Sequence, residues 1–472
     1  MLITRRQRAP LPSETAKPSH FLSICYSYAC GKPRIMESHA TKEGTKEQAK
    51  PSRGPQTLEN ASFDEAFAKV VSSVPQCEAR SVPLRKALFA YLAENVVAPE
   101  NVGAFTSAAI DGFAVRFDDV RAASVDAPVR LSVIETVNAG APPSKQVAAG
   151  TCARVMTGAM IPDGADTVIK WDEARLDGTS LEVRMPPSTQ GKNVRQEGDD
   201  IRRGDMALKS GAYLGPAQIG LLAALGRAEV LCYRQPVFAV LCIGDEVTAS
   251  DAETVPRGHV RNISGPLLGS LLTELHLSSL DLGVERDNVE RVKARLEKAM
   301  YQADGIILTG GANMGEQDVT EKVLREFGPL VVRKVRMSPG SPFTMGRSRG
   351  KPIFALPGNP SSTYITFHLF VRPAIAKMCG LREPRLEYVR ATLASPVADK
   401  LGIDSFLRGI YRVADEGKIT VTTFAKQASG VYTSSASANC LVRIPTDVEA
   451  VAAGDAASIL PLSFAALTWR EP

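Results

Sequence analysis

Near its start the chain shows the spacing of an amphipathic helix. Ser62 can cap a helix, and Glu65, three residues later, completes a capping box. Apolar residues then recur every three or four positions as far as Val74, which predicts that the helix continues to that point. A second helix is predicted over Leu84–Glu94.

Between residues 100 and 190 the pattern changes to short β-rich runs, separated by Gly, Pro and Asp, which is typical of a small all-β module. The runs are Val129–Val133, Thr151–Met156, Thr167–Ile169 and Leu181–Met185. Residues 193–231 return to polar turns and a helix, predicted at Pro216–Leu225. A β module inserted between two halves of one domain explains this sequence of patterns.

From residue 235 the pattern is that of an α/β domain. Val237–Ile243 is a continuous apolar run, as expected for a strand that is buried on both faces. Further strands are predicted at Ser279–Val284, Gly305–Leu308 and Ile353–Leu356. Helices are predicted at Gly265–Leu275, Val289–Met300, Val319–Phe327 and Thr363–Cys379. This alternation predicts a parallel-rich sheet with right-handed crossovers, after which residues 385–472 are β-rich again.

The expected fold class is therefore multidomain, α/β plus β. Residues 1–56 are expected to be a disordered extension or to precede a true start at Met36. The other expected boundaries are a split elongated domain at 57–99 and 190–234, an inserted β module at 100–189, an α/β domain at 235–383 and a small C-terminal β domain at 384–472.

The net charge of the 472-residue chain is +5, but the charge is unevenly distributed. Residues 1–56 hold ten basic and four acidic residues, a balance of +6, so the other 416 residues carry −1. This neutral body argues against a nucleic-acid partner, which needs a basic face, and no apolar run is long enough to span a membrane. The eight cysteines form no CxxC pair, which favours free thiols in a reducing, cytoplasmic compartment.

Three loops that follow predicted strands of the α/β domain carry unusual residues: 244–246 (Gly-Asp-Glu), 310–318 (Gly-Gly to Asp) and 357–362 (Pro-Gly-Asn-Pro-Ser-Ser). In an open α/β sheet, ligands bind beyond the carboxyl ends of the strands. Glycines let backbone amides approach an anion, and carboxylates beside an anion need a cation such as Mg²⁺. Any one loop alone would be a structural turn, but together they predict a phosphate or nucleotide site without a P-loop or GxGxxG motif.

Four weaker candidates lie outside these loops. Asp287 follows a strand, where an aspartate alone is more often a helix cap. The Pro-Gly turn at 338–342 follows Lys334, and is by itself a plain turn. Asp111 lies in a small-residue turn of the β module, and Thr157 lies at the end of a strand. The local sequence at these last two positions indicates only turns.

Taken together and in this order, the motifs resemble those of the molybdopterin molybdenumtransferases of the MoeA and gephyrin E-domain type. Residues 109–114 (AIDGFA) resemble the family's SAMDGYA, and 155–162 (VMTGAMIP) its IMTGAPVP. Residues 244–247 resemble its GDEL, 309–318 its glycine loop, and 356–362 (LPGNPSS) its LPGNPVS. The resemblance covers about residues 58–464.

The resemblance implies an elongated four-domain subunit that forms a homodimer. Each active site would lie between the molybdopterin-binding-type α/β domain of one subunit and the β module of the other. The implied substrates are adenylylated molybdopterin and molybdate, and Mg²⁺-dependent release of AMP would leave molybdenum on the dithiolene. A molybdopterin adenylyltransferase and molybdoenzyme apoproteins are the partners that this reaction implies.

The family's site residues can be carried over by position. Catalytic roles are implied for Asp111, Thr157, Asp287, Lys334, Arg408 and Ser429. Binding of the pterin and nucleotide is implied for Gly310, Gly311, Asn313, Gly340, Pro357, Gly358, Asn359 and Ser361. The metal would be held by Glu246, Asp287 and Asp318.

This chain departs from the family pattern at several positions. Ser338 and Ser341 stand where the family has lysines, and the loss of two cations should weaken oxyanion binding. Smaller departures are Thr106, Ala108, Ser264 and Asn313. Two alternatives to a divergent active transferase therefore stay open. One is a non-catalytic molybdopterin carrier or scaffold, and the other is an enzyme on a related nucleotide-linked substrate.

Overall fold

The computed structural model describes residues 57–311, 318–398, 402–414 and 417–462. Residues 1–56 and Asn313, for which expectations were stated above, lie outside the described residues. None of the helices in the described ranges has the length and hydropathy of a transmembrane segment.

The described chain begins with strand β1 (Leu58–Ser62) and helix α1 (Phe63–Ser73). The capping box is confirmed, because the Ser62 hydroxyl accepts from the Glu65 amide while the Glu65 carboxylate accepts from the Ser62 amide. The buried face of α1, which includes Phe63 and Val70, packs into the core of the α/β sheet described below.

The next segment and the one after the β module pair with each other. The first half contributes β2 (Ala79–Pro83) and β3 (Val96–Val97). The helix predicted over Leu84–Glu94 is wrong: only Leu84–Lys86 forms a 3-10 turn. Extended backbone follows instead, since Tyr91 and Leu92 form β-bridges to residues of the second half. Partners distant in sequence therefore override the local helical spacing.

Strands β4 (Ser107–Ala108) and β5 (Gly112–Val115) lead into the β module. Its other elements are α2 (Phe117–Val120), β6 (Val129–Val137), β7 (Thr151–Val155), β8 (Thr167–Lys170), β9 (Ala174–Asp177) and β10 (Ser180–Val183). A six-stranded sheet with the order β8-β5-β7-β6-β10-β9 results. The four predicted runs are thus confirmed as strands, with shifts of a few residues at their ends.

After the module come β11 (Val194–Arg195), β12 (Met206–Leu208), α3 (Pro216–Ala224) and β13 (Glu229–Tyr233). Three antiparallel pairs connect the segments before and after the module: β11 with β4, β12 with β3, and β13 with β2. A separate apolar core, which contains Leu92, Leu222 and Cys232, lies between the two halves.

In its described residues the α/β region contains eight strands, five α-helices and one π-helical turn. In chain order they are β14 (Phe238–Ile243), β15 (Val247–Thr248), β16 (Val260–Arg261), α4 (Ser264–Glu274), β17 (Ser279–Glu285), α5 (Val289–Gln302), β18 (Gly305–Gly310), α6 (Val319–Phe327), β19 (Leu330–Ser338), β20 (Thr344–Ser348), β21 (Lys351–Leu356), α7 (Pro360–Thr366) and α8 (Arg372–Met378). A π-helical turn, Phe367–Val371, joins α7 to α8, so the predicted long helix exists with this interruption.

The sheet order in this region is β17-β14-β18-β21-β20-β19. The first four strands are parallel, whereas β20 runs antiparallel to both of its neighbours. The parallel part is buried on both faces as predicted. Phe238 and Val240 face one apolar core, and Ala239 and Leu241 face the other.

The C-terminal segment contains β22 (Val389–Leu393), β23 (Val397–Ala398), β24 (Asp404–Val413), β25 (Ile419–Thr423), α9 (Thr433–Ser437), β26 (Cys440–Ile444), β27 (Ala450–Val451) and β28 (Ala456–Pro461). It extends the same mixed sheet, because β24 pairs with the end of β19 at Met337–Asp404 and Ser338–Ser405. Neither β19 nor this junction was predicted. The C-terminal segment also contacts the loop after β21, where Ser429, Val431 and Ser435 bond to Asn359 and Ser361.

Candidate functional site

Four neighbouring parallel strands of the sheet, β17, β14, β18 and β21, end at one edge. Asp287 follows β17, and Glu246 follows β14. Gly310 is the last residue of β18 and is followed by Gly311, and Pro357 follows β21. Residues separated by more than a hundred positions therefore meet at the place where ligands of open α/β sheets bind. We call this edge the carboxyl edge.

Asp245 and Asp287 form a reciprocal pair at the carboxyl edge. The Asp245 amide donates to Asp287 Oδ2 at 3.3 Å, and the Asp287 amide donates to Asp245 Oδ1 at 3.4 Å. Oδ1 of Asp287 is buried and has no hydrogen-bond partner among the described residues. Burial of an unpartnered carboxylate oxygen is costly, so this atom suits a cation ligand. Asp287 is not the cap of α5, since Asn288 has that role.

The three expected metal ligands are not gathered into one cluster. Within the described ranges no three His, Cys, Asp or Glu side chains come close enough to hold a metal ion together. Glu246 is exposed to solvent, and Asp318 caps α6 by accepting from the Glu321 amide at 2.8 Å. Asp245, which lies in the Gly-Asp-Glu motif beside Glu246, is the carboxylate that sequence reasoning passed over.

Asp318 is half-buried, and its burial raises the pKa of the carboxyl group, against the lowering effect of its bond from the Glu321 amide. The positive charge of Lys334 also acts on it and favours the ionised form. Lys334 itself is exposed and has a left-handed backbone, with φ of 58°. Asp318, which precedes α6, and Lys334 on β19 therefore interact electrostatically, although no ion pair joins them among the described residues.

Two glycine loops meet at the carboxyl edge. A Cβ on Gly310, where φ is 89°, would lie 2.0 Å from the Ile243 carbonyl oxygen, so only glycine fits. A Cβ on Gly358 would lie 3.1 Å from the Gly310 Cα. The Thr309 hydroxyl ties the loops together by donating to the Pro357 carbonyl at 3.1 Å. Gly311 also has positive φ and lies next to the undescribed residues 312–317.

The C-terminal segment contacts the third loop directly. Asn359 Nδ2 donates to the Ser429 hydroxyl at 3.0 Å. Ser361 is fully buried and donates to the Val431 carbonyl at 3.0 Å, and it accepts from the Ser435 hydroxyl at 3.0 Å. Asn359 and Ser429 therefore lie at the surface of this contact. The Ser361 hydroxyl is buried inside the contact and is already used by its two hydrogen bonds.

Arg408 is 0% exposed, and its guanidinium is used inside the protein. It donates to the carbonyl oxygens of Lys426, Ala428 and Val431, and to the side chain of Gln427. Burial lowers the pKa of this guanidinium. The structure places Arg408 behind the loop that carries Ser429, so it positions that loop and does not face the open edge.

Around the substituted lysine positions the backbone is closely packed. A Cβ on Gly340 would lie 2.6 Å from Thr366 Cγ2, so this glycine is required by packing against α7. Ser338 and Ser341 are partly exposed on either side of it. These two positions therefore keep some contact with solvent, although the charge of the lysines is absent.

In the β module Asp111 and Thr157 are brought together. Asp111 Oδ1 accepts from the Thr157 amide at 2.7 Å and from the Thr157 hydroxyl at 2.8 Å. These bonds, the backbone one first, hold the pKa of the exposed Asp111 carboxyl group below its usual range. Among the described residues, no hydrogen bond or ion pair joins this pair to the carboxyl edge of the same chain.

Three family matches cover almost all of the described chain. Residues 61–226 match the "MoeA N-terminal region (domain I and II)", residues 239–377 the "Probable molybdopterin binding domain", and residues 383–462 the "MoeA C-terminal region (domain IV)". The boundaries between the matches fall close to residues 226–239 and 377–383, where the segments described above change.

Relatives with curated names are similar over nearly their full length. A molybdopterin molybdenumtransferase of Haemophilus influenzae is 33% identical over 405 residues, which is 85% of this chain and 98% of the relative. Another from Staphylococcus aureus strain Mu50 is 32% identical over 397 residues, or 84% and 94% of the two chains.

Solved structures agree with the sequence relatives. A molybdopterin biosynthesis MoeA protein from Pyrococcus horikoshii is 32% identical, covers 85% of this chain and 99% of its own, and superimposes with a TM-score of 0.70. A second structure of the MoeA protein from this organism has 28% identity, the same coverage and a TM-score of 0.74. By sequence, domain content and fold, this chain belongs to the molybdopterin molybdenumtransferase family.

Proposed function

We propose that this chain is the enzyme that inserts molybdenum from molybdate into adenylylated molybdopterin and releases AMP. One observation carries the proposal beyond family membership: the strand order β17-β14-β18-β21 brings the acidic residues and both glycine loops to a single edge. A bound dinucleotide-like substrate needs this combination, because its phosphates require both backbone amides and charge compensation.

The glycine loops bind the substrate in this proposal. Gly310, Gly311 and Gly358 have no side chains to keep a phosphate or pterin away from the backbone, and their loops are held together through Thr309. Asn359 and Ser429 present an amide and a hydroxyl at the rim of the same site. Asn313 follows Gly310 and Gly311 in sequence but lies outside the described residues, so its assignment to the substrate site rests on the family resemblance alone.

The residues fit Mg²⁺ at Asp287. A magnesium ion usually takes one or two protein carboxylates, with substrate phosphates and waters completing its shell, so a cluster of three acids is not required. Asp287 Oδ1 is the unpartnered buried oxygen, and Asp245 lies beside it. Glu246 and Asp318 are further carboxylates at this edge. When bound, the ion would polarise the phosphate that leaves with AMP.

The oxyanion side of the site would be formed by Lys334 with Ser338 and Ser341. Lys334 is exposed and supplies the positive charge for molybdate. The two serines can donate hydrogen bonds but add no charge, so we expect molybdate to bind more weakly than it would beside lysines. Arg408 keeps the Ser429 loop in place from behind.

Asp111 and Thr157 would complete the site in a homodimer. The two residues lie on the β module and are hydrogen-bonded to each other, so their polar groups are already positioned. A β module of one subunit facing the carboxyl edge of its partner would bring the two half-sites together. An adenylyltransferase that supplies the substrate and apoenzymes that receive the product are the partners that this reaction requires.

The first experiment measures AMP release from adenylylated molybdopterin with Mg²⁺, with and without molybdate. Molybdate-stimulated release is expected from the wild-type chain and not from Asp287→Asn. Glu326→Gln, which removes a surface carboxylate paired with Lys293, is the matched control and should keep full activity. Tight binding of the substrate without release would refute the transferase and favour a carrier.

A further inference from the structure

Trp171 is a large aromatic side chain that stays exposed beside a proposed site residue. It begins the 3-10 turn after β8, and 41% of it is accessible to solvent. Its amide donates to the Asp111 carbonyl at 3.3 Å. An exposed tryptophan that served only to fill a core would be expected to lie deeper, as Phe113 does at 1% exposure.

The indole ring of Trp171 contacts a cation and a second aromatic ring. The Arg154 guanidinium carbon lies 4.0 Å from the ring centroid, and the Phe113 ring is stacked at 5.2 Å and 15°. Phe113 and Arg154 are directly opposite each other on the antiparallel strands β5 and β7, so their side chains point to the same face of the sheet. With both of these contacts in place, 41% of Trp171 remains accessible to solvent.

Arg154 also keeps unused hydrogen-bonding capacity. Its Nε is buried and has no hydrogen-bond partner among the described residues, and no ion pair of Arg154 is recorded there. A guanidinium stacked on an aromatic ring still presents its N–H groups around its own edge. The pKa of the Asp111 carboxyl group is lowered mainly by the hydrogen bonds from Thr157, and the positive charge of Arg154 lowers it further. A flat aromatic surface, an available cation and the Asp111–Thr157 pair thus lie side by side.

We propose that Trp171 is the stacking surface for a planar heteroaromatic ring of the substrate, with Arg154 attracting the diphosphate that links the two halves of that substrate. This inference rests on the proposed function and names a specificity residue for it. The two rings of adenylylated molybdopterin, adenine and pterin, share the required chemistry. Tryptophan stacks on such rings without forming specific hydrogen bonds to them, so adenine and pterin are both candidates. The experiment below distinguishes between them.

The first test measures binding of AMP, free pterin and inorganic phosphate by calorimetry. Trp171→Leu keeps an apolar contact with Phe113 but removes the stacking surface, whereas Trp171→Phe retains an aromatic ring. We expect Trp171→Leu to weaken binding of the compound whose ring stacks there by roughly tenfold or more. Trp171→Phe should recover much of that affinity, and the affinity for inorganic phosphate should be unchanged in both variants. Loss of AMP affinity identifies adenine, and loss of pterin affinity identifies pterin.

The matched control is Tyr301→Leu. Tyr301 is also an exposed ring, at 76%, with an arginine, Arg349, 4.9 Å from its centroid, but it lies at the end of α5. This variant should leave both affinities and turnover unchanged. In a Trp469→Phe background Trp171 is the sole tryptophan of the chain, so quenching of its fluorescence by the bound ring reports contact directly.

The kinetic test compares KM with kcat for adenylylated molybdopterin. A stacking role predicts a KM raised by a similar factor with kcat little changed. If wild-type turnover is normal and Trp171→Leu changes neither KM nor either ring affinity, the stacking surface is refuted while the proposed function stands. If the wild type releases no AMP but Trp171 in the Trp469→Phe background is quenched by AMP or pterin, the function fails and the stacking surface stands.

Discussion

Asn359 Nδ2 lies 3.0 Å from Ser429 Oγ and donates a hydrogen bond to it. The two residues are seventy positions apart, and the bond joins a loop of the parallel sheet to the C-terminal segment. Beside it, Ser361 bonds to Val431 and Ser435. The carboxyl edge is therefore closed on one side by a contact that holds polar groups at fixed positions.

A double-mutant cycle on Asn359 and Ser429 tests this contact. Because the bond is partly exposed, we expect a coupling free energy of about 0.5–1 kcal/mol for the free energy of unfolding. If both side chains also bind substrate, the coupling in kcat/KM should exceed that in stability. If the effects of Asn359→Ala and Ser429→Ala are additive in both stability and kcat/KM, the interaction is contradicted.

Asp318→Asn should remove Mg²⁺-dependent AMP release while leaving the fold intact, because asparagine caps a helix as well as aspartate does. The variant should also be more stable at neutral pH. Since the folded pKa of Asp318 is raised by burial, the native state binds the proton more tightly, and stability falls as pH rises through the raised value.

The measurement is the thermal midpoint of both proteins as a function of pH. The advantage of Asp318→Asn should be absent below the ordinary aspartate pKa of roughly 4 and should grow above it. Unchanged turnover would remove Asp318 from the metal site. A pH-independent difference in stability would contradict the assigned effect of burial.

Arg408→Met should destabilise the protein by about 3 kcal/mol, measured by urea unfolding. The cause is that carbonyl oxygens of Lys426, Ala428 and Val431 lose their buried donor. Because the loop carrying Ser429 loosens, activity should fall as well. Arg390→Met, at an exposed position of β22, is the control and should change stability by less than about 0.5 kcal/mol.

Ser338→Lys should lower the apparent KM for molybdate by roughly tenfold, equivalent to about 1.4 kcal/mol, because it restores a cation to the oxyanion side. Ser270→Lys adds the same charge on an exposed position of α4 and controls for net charge. If both variants give the same molybdate dependence as the wild type, another cation already fills this role.

Mixing two inactive variants tests whether each site is shared between subunits. Asp111→Asn damages the β-module half-site and Asp287→Asn the carboxyl edge. Refolded together in equal amounts, they should form heterodimers in which one of the two sites is intact, so about a quarter of wild-type activity should return. No recovery above the separate variants, in a confirmed dimer, would place both half-sites in one subunit.

Much of the fold was determined by local sequence pattern. The buried runs that became β14 and β18, the helix α6 and the capping box at Ser62 and Glu65 follow from spacing and composition, because burial on both faces leaves a continuous apolar run. Leu84–Glu94 was misassigned, since its helical spacing was overruled by pairing with residues more than a hundred positions away.

For the site, the sequence by itself determined most of the candidate residues, since glycine loops and acids after strands are local signals. Tertiary structure alone decided how they are used. It paired Asp245 with Asp287, buried Arg408 behind the Ser429 loop, and left Trp171 exposed beside Asp111. These outcomes depend on strand order and on which side chains lose contact with water, and both are set by contacts between distant segments that no local spacing encodes.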